Sequence, residues 1–376
     1  MNRKQLKGLV AGGVSALALA AAGQASAVDF VAGDTTFTLY GYAIGKMSYD
    51  LNENIGDATG GSFGPLTDDE YAEGYTDLDA SQSRIGFQVT SDMNGDPVVT
   101  RIEGDFRGGS GVESTGVGQF RLRHAYGSWN GLLAGQTWSN YNSFVGTTAK
   151  LDFGGLAGDA GYQSRLAQFR YTVGDFSVAV EDPVSDIAFG DGSAPTGSFG
   201  EKDSLPALTA RYEGSAGNAG YSIGGIVRQV EDNAEEDSVT GYGTFVAGSY
   251  DFGAVSLQGV LNYVDGAGSY LYRSGAPDAY WQDGDLETVS AWGGTVGVSV
   301  DAGPGTINLS YGRTDVDDAE EFGADEVHEN AFLNYMWQPV ENVTYGIEYA
   351  YYSADDMDGE KRGDANRISV AAQYVF

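Results

Sequence analysis

The stretch NRISVAAQYVF, Asn366 to Phe376, alternates strictly: Ile368, Val370, Ala372, Tyr374 and Phe376 share one parity, and Arg367, Ser369, Ala371 and Gln373 share the other. Successive side chains of a strand point to opposite faces, so this segment has one oily and one polar face. The same period recurs upstream. Phe37, Leu39, Ala43, Met47 and Tyr49 alternate with Thr38, Tyr40, Tyr42, Lys46 and Ser48. Ile85, Phe87 and Val89 oppose Arg84, Gln88 and Thr90, and Val98, Ile102 and Phe106 oppose Arg101, Glu103, Asp105 and Arg107. Later, Val255, Leu257, Leu261 and Tyr263 oppose Ser256, Gln258 and Asn262, while Val343, Tyr345, Ile347, Tyr349 and Tyr351 oppose Thr344, Glu348 and Tyr352.

The other end of the chain says where such strands belong. Arg3, Lys4 and Lys7 precede a small-residue apolar run, Gly8 to Gly23, and an Ala25-Ser26-Ala27 cleavage pattern. This predicts a signal peptide over 1–27 and a mature unit over 28–376. After it no run of 18 apolar residues occurs, so no helix is expected to cross a bilayer. Cysteine is absent, while glycine (57), tyrosine (24) and phenylalanine (17) are abundant beside 8 prolines, a composition suited to strands and tight turns rather than to acidic disorder. Aromatic-rich alternating strands in an exported chain predict an all-β, transmembrane antiparallel barrel of the Gram-negative outer membrane. The final Phe376 resembles the terminal aromatic of bacterial outer-membrane barrels, which implies recognition by the barrel assembly machinery.

Connections alternate in length. Short ones are Met93 to Asp96, Trp129 to Gly131, Val173 to Asp175, Gly214 to Asn218, Asp251 to Gly253, Asp301 to Gly305 and Gln338 to Asn342. Long ones span 51–81, 108–118, 139–163, 182–204, 231–238, 265–286, 315–328 and 354–365. Seven short and eight long connections give sixteen strands, or fourteen or eighteen if one is missed or split, with short turns periplasmic and long loops extracellular. A barrel of that size is expected to enclose a water-filled channel, and the chain is too short for a plugged receptor of about 22 strands.

The net charge is -33, and the acids crowd the long loops: Glu53, Asp57, Asp68, Asp69, Glu70, Glu73, Asp77 and Asp79 fall within 51–81 without a single Lys or Arg. Solvated loops explain this, and surface binding of divalent cations is the sharper alternative. The cations behave differently. Lys46, Arg84, Arg101, Arg107, Arg121, Arg123, Arg170, Arg211, Arg228 and Arg367 fall on polar-parity strand positions, against fewer acids there, chiefly Glu103, Asp105, Glu181 and Glu348. An arginine facing lipid at the midplane costs about 2–4 kcal/mol, so these side chains are expected inside, making the lumen basic in an acidic protein. Neighbouring strands would gather Arg84, Arg101, Arg107, Arg121 and Arg123 around Glu103 and Asp105, either as wall salt bridges or with some guanidinium forks left for a passing anion. His124 shares the oily parity of Leu122 and Tyr126 and is expected at a subunit contact or a membrane edge.

The blocks FRLRHAYG and LLAGQTWSNY, then LDFGG and QSRLAQFRYTVG, together with LNYMWQPVENVTYGIEYAYYS and the C-terminal strand, resemble the DcaP-like outer-membrane porins through most of the mature chain. The resemblance implies a homotrimer of sixteen-stranded channels taking up small anionic solutes, dicarboxylic acids among them, in a membrane of lipid and lipopolysaccharide. It also implies that 139–163 folds inward as a constriction loop carrying Lys150, Asp152 and Asp159. Many relatives have an N-terminal coiled coil, whereas here only Val28 to Asp34 precede the first strand, so trimer contacts are expected on the barrel walls.

Other chemistry fares worse. Gly220-Tyr221-Ser222-Ile223-Gly224 matches the nucleophile-elbow pattern but reads as continuous strand, and only His124 and His328 could serve as base, so no enzyme is expected. Two histidines and no cysteine leave no metal or cofactor site expected. An acidic exterior disfavours nucleic acid. The expected function is passive diffusion of small hydrophilic solutes with a preference for small anions such as carboxylates; a non-selective porin, or a structural or adhesin barrel, are the alternatives.

Overall fold

The computed structural model describes residues 27–67, 73–93, 95–109, 118–190, 201–233 and 237–376. The expected leader lies outside them apart from its last residue, as do the loop acids Asp68, Asp69 and Glu70. The alternating runs become strands β1 (Val28–Ala32), β2 (Thr35–Asp50), β3 (Tyr75–Asp79), β4 (Arg84–Met93), β5 (Asp96–Gly108), β6 (Gln119–Trp129) and β7 (Leu132–Trp138). They continue as β8 (Arg165–Val173), β9 (Phe176–Glu181), β10 (Ile187–Ala188), β11 (Ala207–Ala216), β12 (Ala219–Glu231), β13 (Ser238–Asp251) and β14 (Val255–Asp265). The last are β15 (Ala279–Gln282), β16 (Asp285–Thr288), β17 (Ser290–Ala302), β18 (Gly305–Val316), β19 (Val327–Val340), β20 (Val343–Asp355) and β21 (Lys361–Val375).

Sixteen of these are staves of a closed wall: β2, β4 to β9, β11 to β14 and β17 to β21, each antiparallel to the next, with β21 returning to β2. β1 and β3 complete staves rather than adding them. The 16 residues of β2 outrun both neighbours: its first half pairs with β1 and β4, its second half with β21 and β3. β21 hands over to β1 at Phe376, whose N–H and C=O pair with Gly41 at 3.0 and 3.3 Å. A Cβ on Gly41 would lie 2.8 Å from the Phe376 ring and 2.4 Å from the Arg84 carbonyl, so only glycine leaves this seam room to close.

Short turns end the staves on one side. Asn130 (φ 47°) and Gly131 (φ 81°) form the two-residue link between Trp129 and Leu132, the left-handed pair that matches the twist of a hairpin. Every stave carries apolar residues on its outward face, from Phe169 and Tyr171 to Leu257, Leu261, Ile347 and Tyr374.

The interior differs from an open channel. Loop 139–164 and loop 266–289 fold inward, the latter with β10, β15 and β16 as a small sheet of its own. Tyr141, Ala160, Tyr270, Leu271 and Ala276 from these loops pack on Ile226, Phe245, Val260, Val264 and Val316 of the wall. A second cluster joins Ile55, Phe63, Leu66 and Leu156 to Phe332 and Tyr352. One side of the lumen is therefore a packed core, because apolar side chains at inward positions were matched by apolar loops rather than by water. The loop meets the far wall through glycine: Gly158 has φ +79°, and a Cβ there would lie 2.5 Å from Gly294 N and 2.8 Å from the Arg313 carbonyl. Gly158→Val is expected to lift the loop and destabilise the barrel by about 1–3 kcal/mol, read as a lower transition temperature in heat-modifiable gel migration; an unchanged transition would mean that this contact does not hold the loop.

Candidate functional site

The space that remains is a cavity of about 870 Å³ between loop 139–164 and the inner faces of β2 and β4 to β8. Its wall is built by backbone register. Arg84 stands opposite Asp105, and Asp105 opposite Arg121, so three adjacent strands present guanidinium, carboxylate, guanidinium in a row. Glu103, 1% exposed, accepts Arg101 Nη2 at 2.6 Å, Arg123 Nε at 3.0 Å and the Tyr40 hydroxyl at 3.0 Å, and ion-pairs with Arg84 Nη1 at 3.3 Å. Asp105, fully buried, receives Arg121 Nη2 at 2.7 Å and Nε at 2.9 Å, and Arg123 Nη1 at 3.0 Å. Arg123 thus bridges both carboxylates and is almost fully enclosed, whereas the Arg121 side chain keeps 34% of its surface open to the cavity.

A bulge in β6 makes this arrangement. Glu103 pairs with His124 but Gly104 pairs with Leu122, leaving Arg123 as the extra residue. The extra residue reverses parity beyond it, so the expectation for His124 and Tyr126 is overturned. His124 is buried on the inside, 3.0 Å from Thr137 Oγ1 and 3.8 Å from Glu103, and Tyr126 lines the cavity opposite Arg101. Both side chains face the cavity and not lipid.

Aromatic rings separate the cations. Arg107 and Arg123 lie 5.8 and 5.7 Å from the Phe153 ring of the inward loop, and Arg123 and Arg165 lie 5.7 and 4.4 Å from the Trp138 ring. Across the cavity Lys150 pairs with Asp159 at 3.3 Å. Arg107 also reaches Asp57 at 3.1 Å. Burial pushes the Asp57 carboxyl up, but the Thr59 hydroxyl and the Arg107 guanidinium outweigh it and hold its pKa below the ordinary value. Tyr272, a loop residue on the cavity wall, is pushed up to about 12 by burial and stays a neutral donor.

The remaining predicted residues are brought to the roots of loops. Lys46 donates to the carbonyls of Thr59 (2.8 Å) and Leu151. Glu348 accepts the N–H groups of Leu151 and Asp152, each at 2.8 Å, and Asn334 Nδ2 at 3.0 Å. Asp152 in turn accepts Gly61 N at 2.9 Å and the Tyr352 hydroxyl at 2.7 Å. Glu181 takes Ser139 Oγ at 2.7 Å and Asn140 N at 2.5 Å at the loop's entry. Arg170 donates to the Trp138 carbonyl and Arg211 to that of Asn142. Arg367 binds Asp50 (Nη2, 2.8 Å) and the Gly56 and Asp57 carbonyls, and Arg228 binds the buried Asp278 at 2.8 Å; burial raises the Asp278 pKa. Sequence reasoning missed the asparagines that dock the loop: Asn262 to Gly158 and Gly161, Asn330 to Gly155 and Ala157, and Asn334 to Ala149. It also missed Arg165.

Arg84, Arg101, Arg107, Arg121, Arg123, Arg165 and Lys150 make seven cations on the cavity wall. The carboxylates on the wall or bound to those cations are Glu103, Asp159, Asp105 and Asp57, so 7 − 4 leaves the cavity at +3 in a chain of -33. The Gly220 to Gly224 segment lies inside β12 with no elbow, and among the described residues no group of His, Asp and Glu is placed to hold a metal ion.

The outer-membrane channel DcaP of Acinetobacter baumannii superposes with a TM-score of 0.79 at 26% identity, covering 92% of this chain and 99% of that one. An anion-selective porin from Comamonas acidovorans (TM-score 0.59, 15% identity, 91% and 100% covered) and OmpT of Vibrio cholerae (0.58, 13%, 93% and 99%) share the fold. Comparison with curated proteins finds no match. The family model of the DcaP outer membrane protein matches residues 3–376. A closed sixteen-stave wall, apolar outside and enclosing a loop-narrowed basic cavity, agrees with that match over essentially the whole length, and the chain belongs to the DcaP outer membrane protein family.

Proposed function

We propose that this outer-membrane porin is a passive diffusion channel that prefers small anions, carboxylates in particular. The observation that carries the reading is the +3 balance of the cavity wall, where guanidinium forks outnumber the carboxylates they can bind. Fixed positive charge raises the local anion concentration, and Glu103 and Asp105 keep any one arginine from trapping a solute. Planar-bilayer recordings in a salt gradient test it: the reversal potential is expected on the anion side. A reversal potential without preference reduces the protein to a general porin, and no conductance leaves a structural or adhesin barrel.

The double variant Arg121→Ala, Arg123→Ala lowers the wall balance from +3 to +1 and leaves Glu103 and Asp105 underbalanced. Its reversal potential is expected to move towards zero; an unchanged value would assign both arginines to wall structure.

The reading extends to assembly. Residues 1–27 are removed on export, Phe376 is the signal for the assembly machinery, and three copies associate through their outer walls in a membrane containing lipopolysaccharide. Cross-linking of the folded protein checks the trimer, and deletion of Phe376 is expected to lower the amount inserted.

A further inference from the structure

Of the twenty Lys and Arg residues, three (Arg3, Lys4 and Lys7) precede position 28. Among the described residues, sixteen of the other seventeen form an ion pair or a hydrogen bond with an oxygen of the protein, and the Arg165 side chain forms neither. It opens β8 directly after the inward loop, in register with Trp138, and its guanidinium lies 4.4 Å over the Trp138 ring. It lines the same cavity as Arg121 and Arg123. The charges acting most strongly on it are those of Arg123, Arg121 and Arg84, all of its own sign, with Asp105 the leading opposite charge.

A partly desolvated cation facing like charges without a counter-ion is costly, and an aromatic face offsets only part of that cost. The ring serves instead to hold the planar fork in place while its N–H donors stay uncommitted. Arg121 and Arg123, by contrast, spend donors on Asp105, and Arg123 also on Glu103. The geometry points to Arg165 as the docking residue of a carboxylate subsite in the constriction, a mobile carboxylate supplying the acceptors that the protein withholds. This rests on the anion-preferring reading above. A guanidinium fork binds a planar carboxylate through two parallel hydrogen bonds and can bind phosphate the same way, so the test compares the two anions.

The test is a bilayer titration of current block by succinate, and separately by inorganic phosphate, on wild type, Arg165→Gln, Arg165→Lys and Arg121→Gln. Arg165→Gln is expected to weaken the succinate block about tenfold or more, Arg165→Lys to restore part of it, and Arg121→Gln to change it less than Arg165→Gln does. Equal succinate block in wild type and Arg165→Gln overturns the subsite, and phosphate blocking more strongly than succinate overturns its carboxylate class. Loss of the wider reading is separable: it shows as a wild-type reversal potential without anion preference. The Arg165 side chain has no hydrogen bond to the protein to lose, so the two Arg165 variants are expected to insert normally, checked by heat-modifiable gel migration.

Discussion

Glu348→Ala is expected to release the inward loop, raising single-channel conductance while lowering stability on the order of 3–5 kcal/mol. The carboxylate sits fully enclosed at the root of the loop, and its removal strands three donors: the N–H groups of Leu151 and Asp152 and the Asn334 amide. It also removes a negative charge near Lys46, which is 4% exposed and left with carbonyl partners and Asp152. Glu348→Gln keeps the shape and one acceptor, so a smaller loss is expected. Paired conductance and thermal-transition measurements separate the effects. Unaltered conductance in the alanine variant would show that the other anchors, Asn262 and Asn330, hold the loop without it.

Glu103→Gln is expected to shift selectivity in the sense opposite to the Arg121→Ala, Arg123→Ala variant while also destabilising the wall. Three guanidinium groups converge on this one carboxylate. Neutralising it raises the wall balance from +3 to +4 and leaves Arg84, Arg101 and Arg123 repelling one another, at a cost of about 3–5 kcal/mol. The reversal potential should shift further towards the anion side. If it stays fixed while stability falls, the wall arginines do not set the potential that a passing ion meets, and their part is confined to bracing three strands.

The staves were readable because their faces meet lipid and loop or water, and a two-residue period survives wherever both faces are continuous. Asn130 and Gly131 marked their turn for the same local reason: the backbone there needs two left-handed residues. What the period could not show was the single extra residue at Arg123. It reverses the faces of His124 and Tyr126, and it arises from pairing with β5, which lies outside β6's own pattern. Loop docking was equally hidden, since Asn262, Asn330, Asn334 and Glu348 look like ordinary inward polar residues until loop 139–164 is laid across them. Arg165 escaped because it stands at the first position of β8, on the parity opposite to Arg170, where the strand rule assigns lipid. Its signal was positional: a cation directly after the loop, across the hairpin from Trp138.

The packed side of the lumen has an electrical consequence. An apolar filling is poorly polarisable, so field lines from the arginine-bearing wall are crowded into the water-filled remainder instead of spreading through a full aqueous cross-section. A solute is thus confined to a lane whose potential is stronger than its seven cations would produce in an open pipe. The effect must fade as salt rises, because mobile ions screen over about 10 Å at 0.1 M and only about 3 Å at 1 M. The tightly packed tyrosines and valines of the opposite side, which never touch a permeating ion, would then tune its passage by shaping the medium around it.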